Sequence, residues 1–445
     1  MLPAGTTHSR LDWWVPELGN KKSAAITALN NVALIVDAEL DESEVAISAL
    51  PVVQSYMRYS QHIPAIVRDN VRNACYKLVL EHKSSPGDPT FRDDLLILSL
   101  EQTNIQSIVL DATRTADVNT PNAMLSPDIP DMGKVLEVLV AFCWFQHWTK
   151  PQTEVIEHTL KLAHKVGLEE CIAECLFCLG STFFRLDRYK DAEISYVKAR
   201  DYFTKLSNVV RASECSFELA DIYLYMSNVS KAAEALDSVP QKDMNAHAYV
   251  RARSKMAYGK FYWNTLQFTE ALEYLTDAKE IFETKEIDRP VDAAYCLHSI
   301  ARVLASMQRI PDAVKAVDQS LDIYEKTGPD NRLAETLLVK DYILLKVQAP
   351  PDQVLPTLQR TLQKSQELGR PLAIAQALEL LGEFHACQRD VRSSIEYYQA
   401  AQAQYETIDN VQSISRCQHS RREFMHMEAD PDLEWRAQRL STLLG

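Results

Sequence analysis

The sequence predicts a mainly α protein, an array of about seven helical hairpins preceded by a small α+β domain. Two observations carry this. Small residues recur at a step near 40, at Ala141, Gly180, Ala220, Gly259, Ala301 and Gly382 with Asp341 in the same register, at intervals of 39, 40, 39, 42, 40 and 41. Self-similarity at such a period marks stacked supersecondary units. Glycine accounts for only 11 of 445 residues, too few for a fold built on phosphate-cradling turns. With 46% apolar and 24% charged residues, the chain has the composition of a folded protein rather than a disordered one.

The first 110 residues or so lie outside the period. The run "SAAITALNNVALIVDAELDESEVAISALPVVQSYM" reads as a helix, two alternating strands over residues 32–38 and 44–49, and a helix opened by Pro51. That order predicts a winged-helix-like domain over residues 1–60. The acidic turn "AELDESE" keeps an edge strand from pairing, and Trp13 and Trp14 are expected to plug the core. A helix over "IVRDNVRNACYKLVLEH", a loop and the segment "LEQTNIQSIVLDA" follow, and a Pro/Asn/Asp-rich stretch over 117–131 reads as a connection. Residues 61–130 are therefore a helical connector and linker, 131–430 the solenoid, and 431–445 a capping tail; the polar cap itself begins beyond residue 411.

Within the array, Ala or Ser stands twelve residues after five of the seven markers, at Ala192, Ala232, Ala271, Ala313 and Ser394. Small residues on both helices of a hairpin let their backbones approach. Apolar residues precede the markers (Leu179, Leu219, Tyr258, Ile300) and mostly large ones follow three later (Phe183, Tyr223, Tyr262, Leu304). The repeat headed by Asp341 departs, because "QAPPDQVLPTL" puts prolines at the turn and inside the second helix, where a kink or break is expected.

These residues resemble tetratricopeptide repeats, whose pattern is Leu-Gly-x-x-Tyr followed by Ala-x-x-x-Phe. The resemblance implies a right-handed α-solenoid. The step exceeds the usual 34 residues, as in the longer-helix subtype of kinesin light chains and polarity adaptors. The order of elements along the whole chain is similar to the winged-helix plus repeat half of fungal signal-transduction ATPases of the NB-ARC/STAND, NLR-like type, with "GTTHSRLDWW" and "LPVVQSYM" the most similar stretches. This implies a ligand-sensing or scaffold module in which the winged helix relays, with an NTPase domain upstream of Met1 in a longer form. Two departures count against nucleotide binding in this chain. No G-x-x-x-x-G-K-[ST] occurs, "LGNKKS" lacking its second glycine, and Leu50-Pro51-Val52 replaces the family's Met-His-Asp. The other implied role is a free-standing cytosolic adaptor without an NTPase.

Other chemistries find little support. A net charge of −14 argues against nucleic acid as a partner. The longest apolar run, "VLEVLVAFCWF", is too short to span a membrane. Nine cysteines in apolar helical stretches suit reduced thiols in the cytoplasm. Cys171, Cys175 and Cys178 have the spacing of an iron–sulfur motif, but i, i+4, i+7 inside one helix makes a packed stripe. His158 and His164 are six apart, off one helical face, and no catalytic, metal or cofactor constellation stands out.

Recognition is the remaining role. In such repeats the first helices line a concave groove, with groove side chains six and three residues before the marker and one and four after it. The first two full repeats place Glu174, Phe177, Ser181 and Phe184, then Glu214, Phe217, Asp221 and Leu224 there. The next two place Arg253, Met256, Lys260 and Trp263, then Tyr295, His298, Arg302 and Ala305, while Glu379 and Glu383 return to acid. Arg253, Lys260, Trp263, His298 and Arg302 are thus expected to form a basic, aromatic centre between acidic walls. The expected partner is a protein or peptide segment, acidic where it meets that centre.

Overall fold

The computed structural model describes residues 2, 4–32, 34–39, 45–49, 65–117, 132–408 and 410–429. These form two compact units, one of Met1–Ser84, Asp93–Gln146 and Gln152–Cys175, the other of Ser85–Arg92, His147–Pro151 and Leu176–Gly445. The tip of the acidic turn, the helix expected from Pro51, most of the 117–131 connection and the 431–445 tail lie outside the described residues.

The chain begins with β1 (Thr6–Thr7), α1 (Leu11–Trp14), α2 (Lys22–Asn31), β2 (Ile35–Glu39) and β3 (Val45–Ala49). β3 lies between the other two strands and is antiparallel to both, with Ile35 opposite Ala49, Glu39 opposite Val45 and Thr6 opposite Ile47. The two longer strands fall where residue alternation placed them; β1, two residues long, carries no such signal. Then come α3 (Ala65–Glu81), α4 (Phe91–Leu100), α5 (Gln102–Asp117), α6 (Met132–Trp148) and α7 (Glu154–Val166). Within the first unit Trp14 is buried but Trp13 only half so, so one ring of the pair plugs the core. The buried Glu101 accepts hydrogen bonds from Thr6 Oγ1 at 2.8 Å, Asn104 Nδ2 at 2.6 Å and Arg10 Nη1 at 3.2 Å. A carboxylate is stable out of water only with donors of this kind.

The repeats follow as hairpins: α8 (Glu169–Arg185) with α9 (Tyr189–Lys205), and α10 (Val209–Tyr225) with α11 (Val229–Asp237). A short α12 (Gln241–Ala246) precedes α13 (Ala248–Asn264) with α14 (Phe268–Phe282), then α15 (Pro290–Ser306) with α16 (Ile310–Thr327). Last come α17 (Asp330–Lys346) with α18 (Pro351–Glu367), α19 (Pro371–Cys387) with α20 (Val391–Glu406), and the closing α21 (Val411–Ala429). The chain is mainly α and the array is of the tetratricopeptide kind.

The markers are small for a specific reason. A Cβ on Gly180 would stand 3.0 Å from the ring of Tyr196, one on Gly259 2.6 Å from Leu275, and one on Gly382 2.9 Å from Tyr398. All three partners lie sixteen residues downstream, so the marker receives a large side chain of its own hairpin's second helix. At the twelfth position Ser394 Oγ donates to the Gly382 carbonyl at 2.8 Å. Seven residues after the markers the chain turns through a left-handed residue, at Asp187, Ser227, Leu266, Gln308, Gln348 and Arg389, each with φ between 52° and 63°. The second helices then start, with Asn228 and Asp390 side chains accepting from the backbone amides of Lys231 and Ser393.

Two expectations change. α18 runs for 17 residues with Pro356 inside it, without the expected break. Pro356 is the sixth residue of the helix, beyond the four amides that have no intrahelical acceptor, so the helix continues past one missing backbone bond. α21 is more than a polar cap, since its Cys417 and Phe424 are buried with Tyr398 and Tyr405.

Candidate functional site

Consecutive first helices are tied together by polar side chains near the positions expected to line a groove. Tyr249 of α13 donates to Glu214 of α10 at 2.7 Å, and Arg253 donates to Glu218 at 2.6 Å. Lys260 pairs with Asp221. His298 of α15 meets Thr336 of α17 at 3.0 Å, and Arg370, at the start of α19, donates to Glu335 at 2.5 Å. Each contact spans 35 to 39 residues. The repeat period therefore brings polar partners on neighbouring first helices together, with the donor on the later helix in every case but His298–Thr336.

The five predicted residues lie on two of these helices, Arg253, Lys260 and Trp263 on α13 and His298 and Arg302 on α15. Trp263 and Arg302 form the clearest pair, the guanidinium 3.9 Å from the indole ring, with no carboxylate within salt-bridge distance of Arg302 among the described residues. Such stacking is favourable and leaves the guanidinium edge free to bond elsewhere. Lys260 lies 5.1 Å from the ring of Tyr295, which takes Arg332 at 4.0 Å and stacks on His298 at 5.6 Å.

The charge of this centre differs from the expected basic one. Arg253 is claimed by Glu218 and Lys260 by Asp221. Burial opposes the charge on both, yet for Arg253 the surrounding Tyr249, Glu218 and Asp292, and for Lys260 chiefly Asp221, outweigh it and raise both pKa values. His298 is buried and adds no charge, because burial and then Arg302 push it down to about 3. Thr336 spends its hydroxyl hydrogen on the Arg332 carbonyl at 2.8 Å, so His298 carries its hydrogen on Nδ1 and donates it to Thr336. Local positive charge without a carboxylate partner is left on Arg302.

Several positions of the register are core rather than surface. Phe177, Phe217, Met256 and Ala305 are buried. Glu379 and Glu383 form no acidic wall: they are 1% and 2% exposed, Glu379 bonded to Tyr405 at 2.7 Å and Arg416 at 2.5 Å, Glu383 to Tyr398 at 2.6 Å. Cys175 and Cys178 are buried and Cys171 partly so, and burial pushes the thiols of Cys171 and Cys175 up, away from the thiolate a metal needs. Among the described residues no three His, Cys, Asp or Glu side chains could hold a metal. No described helix is long and apolar enough to cross a membrane.

A second polar cluster escaped the sequence reading. Glu335 bonds Arg332 through Oε2 at 2.8 Å and Arg370 through Oε1 at 2.5 Å. Burial would push its carboxyl up, but the two guanidiniums hold it down at about 2. Arg370 also reaches Asp187 Oδ1 at 3.4 Å, and Tyr189 donates to the same oxygen at 3.2 Å. Glu335 sits six residues before Asp341, so the register that nominated Arg253 would have found it. Arg185, Arg332 and Arg370 occupy none of the four register positions, and only folding brings them together.

Comparison with known proteins gives a partial match. The family model of the 26S proteasome subunit RPN7 matches residues 146–310, less than half of the chain. No curated protein sequence matches. Among solved structures, a Rap protein complexed with competence and sporulation factor is 12% identical with a TM-score of 0.48, over 82% of this chain and 99% of that one. A STAND protein with a tetratricopeptide repeat sensor from Pyrococcus horikoshii is 14% identical, TM-score 0.49, over 81% and 55%. The apo quorum sensor NprR from B. thuringiensis is 14% identical, TM-score 0.48, over 89% and 97%.

Proposed function

We propose that this chain is a non-enzymatic recognition module that receives a peptide or protein segment along the groove formed by the first helices of its repeats. The supporting observation is the Trp263–Arg302 pair, an aromatic platform with a cation whose charge no described carboxylate neutralises. Lys260 lies over the ring of Tyr295, which stacks on His298, a neutral ring near Arg302. An acidic or amide-rich segment would gain charge-assisted bonds at Arg302 and stacking on Trp263. The finer reading makes the chain the winged-helix and right-handed repeat portion of a cytoplasmic STAND-type protein, with an NTPase domain in a longer form. The nine cysteines, seven of them buried in the helical array and its N-terminal neighbour, agree with thiols held in a reducing compartment.

The test is retention of synthetic peptide pools of stated net charge by the purified chain. Wild type should retain acidic pools, and R302E should lose them at least about tenfold, the scale of one charge-assisted bond. K260E is a poorer probe, because it would set two carboxylates side by side at Asp221. Equal retention by wild type and R302E would contradict this assignment.

A further inference from the structure

We propose that Arg185 is the anchor for a carboxylate carried by the groove ligand. This rests on the groove reading and adds the chemical class of one contact. Arg185 ends α8 and is 3% exposed, and its Nε, Nη1 and Nη2 are all buried without a hydrogen-bond partner among the described residues. Its neighbours are differently placed. Arg332 and Arg370 share Glu335, and Arg370 also reaches Asp187. Asp330, a further acid near Arg185, is engaged by Arg92 at 3.1 Å and Lys364 at 3.3 Å. Three guanidiniums thus stand with two carboxylates, and the unmatched charge falls on Arg185.

Burial first, then the like charge of Arg370 and Arg332, pushes the Arg185 pKa down to about 9 against the pull of Glu335 and Asp330. The group is still charged at neutral pH. A buried guanidinium with no bonded acceptor is among the costliest arrangements in a protein, and folded chains pair such groups or give them a ligand. The planar fork of Arg185 suits two parallel bonds to a carboxylate, whose single charge matches the local excess. A phosphate dianion would exceed the excess charge.

The carboxylate can come from an acidic side chain or a chain end, and the experiment separates them. First, the thermal midpoint of the full chain is compared in millimolar sodium formate and in chloride at equal ionic strength. Wild type should rise, R185K should rise less, and R185M or R185Q should not respond; an equal response of wild type and R185M overturns the proposal. Second, three random peptide pools are offered: amidated with Asp and Glu, amidated with Asn and Gln instead, and the Asn/Gln pool with free C-termini. One carboxylate-bearing pool should be retained at least about tenfold better than the amidated Asn/Gln pool, and R185M should lose the greater part of that preference even with Arg302 intact. The first pool indicates a side chain and the third a chain end. Equal retention of all three by wild type overturns the anchor and leaves the groove reading standing. No retention, with a formate response confined to wild type and R185K, keeps the anchor and removes the peptide groove. No retention and no formate response overturns both.

Discussion

Asp341 occupies the position that is Ala or Gly in the other repeats, and it is fully buried. Its Oδ2 accepts from Thr361 at 2.5 Å, while Oδ1 has no partner among the described residues. Burial pushes its carboxyl up to about 6, with the Thr361 hydrogen bond pulling partly back. A folded pKa above the unfolded value near 4 means the folded state holds the extra proton between pH 4 and 6. The stabilisation is complete below pH 4 and is lost as pH rises through 6. D341N should therefore stabilise the chain by about 2–3 kcal/mol at pH 7.5 and hardly at all at pH 4, read by urea unfolding. Equal gains at both values would show that charge is not the cause. Gly259 gives the opposite case. G259A forces Leu275 to move from 2.6 Å and should cost about 1–3 kcal/mol, whereas an unchanged midpoint would mean the hairpin can open. Single positions were legible in the sequence where the requirement is local, as at Gly180 and Gly382. Arg185 was not, because its significance depends on Glu335, Arg332 and Arg370, some 150 to 185 residues away.

Elements were readable where their period was strong. The first helices, each of 17 residues from α8 to α19, stand where the 40-residue step put them. Their turns were hidden, because the left-handed residue that recurs seven positions after the markers is Asp, Ser, Leu, Gln or Arg and never Gly. Leu266 is the most strained of these by residue type and is 74% exposed, so its side chain packs little. L266G should stabilise the chain by about 1 kcal/mol, since a left-handed conformation costs a residue with Cβ about that much. A loss of stability in thermal unfolding would mean that Leu266 makes contacts outweighing its backbone strain. Pro356 does not end its helix, which continues to Glu367 with one backbone bond missing.

At the scale of the whole molecule, each repeat buries its apolar face against the next and leaves its first-helix polar residues to a common surface. Most of that polarity is spent internally, on Glu214–Tyr249, Glu218–Arg253, Asp221–Lys260 and Glu335–Arg370. Such pairs fix the spacing between neighbouring helices, and few cations remain for a partner. The sequence placed candidate residues on one face but could not show which of them neutralise one another. The most direct measurement of the central claim is amide hydrogen exchange on the full chain with and without a peptide drawn from the retained acidic pool. Binding in the groove predicts slower exchange in α13 and α15, around Arg253–Trp263 and Tyr295–Arg302, with the second helices α14 and α16 little changed. Protection centred on α14 and α16, or none within the repeats, would contradict it.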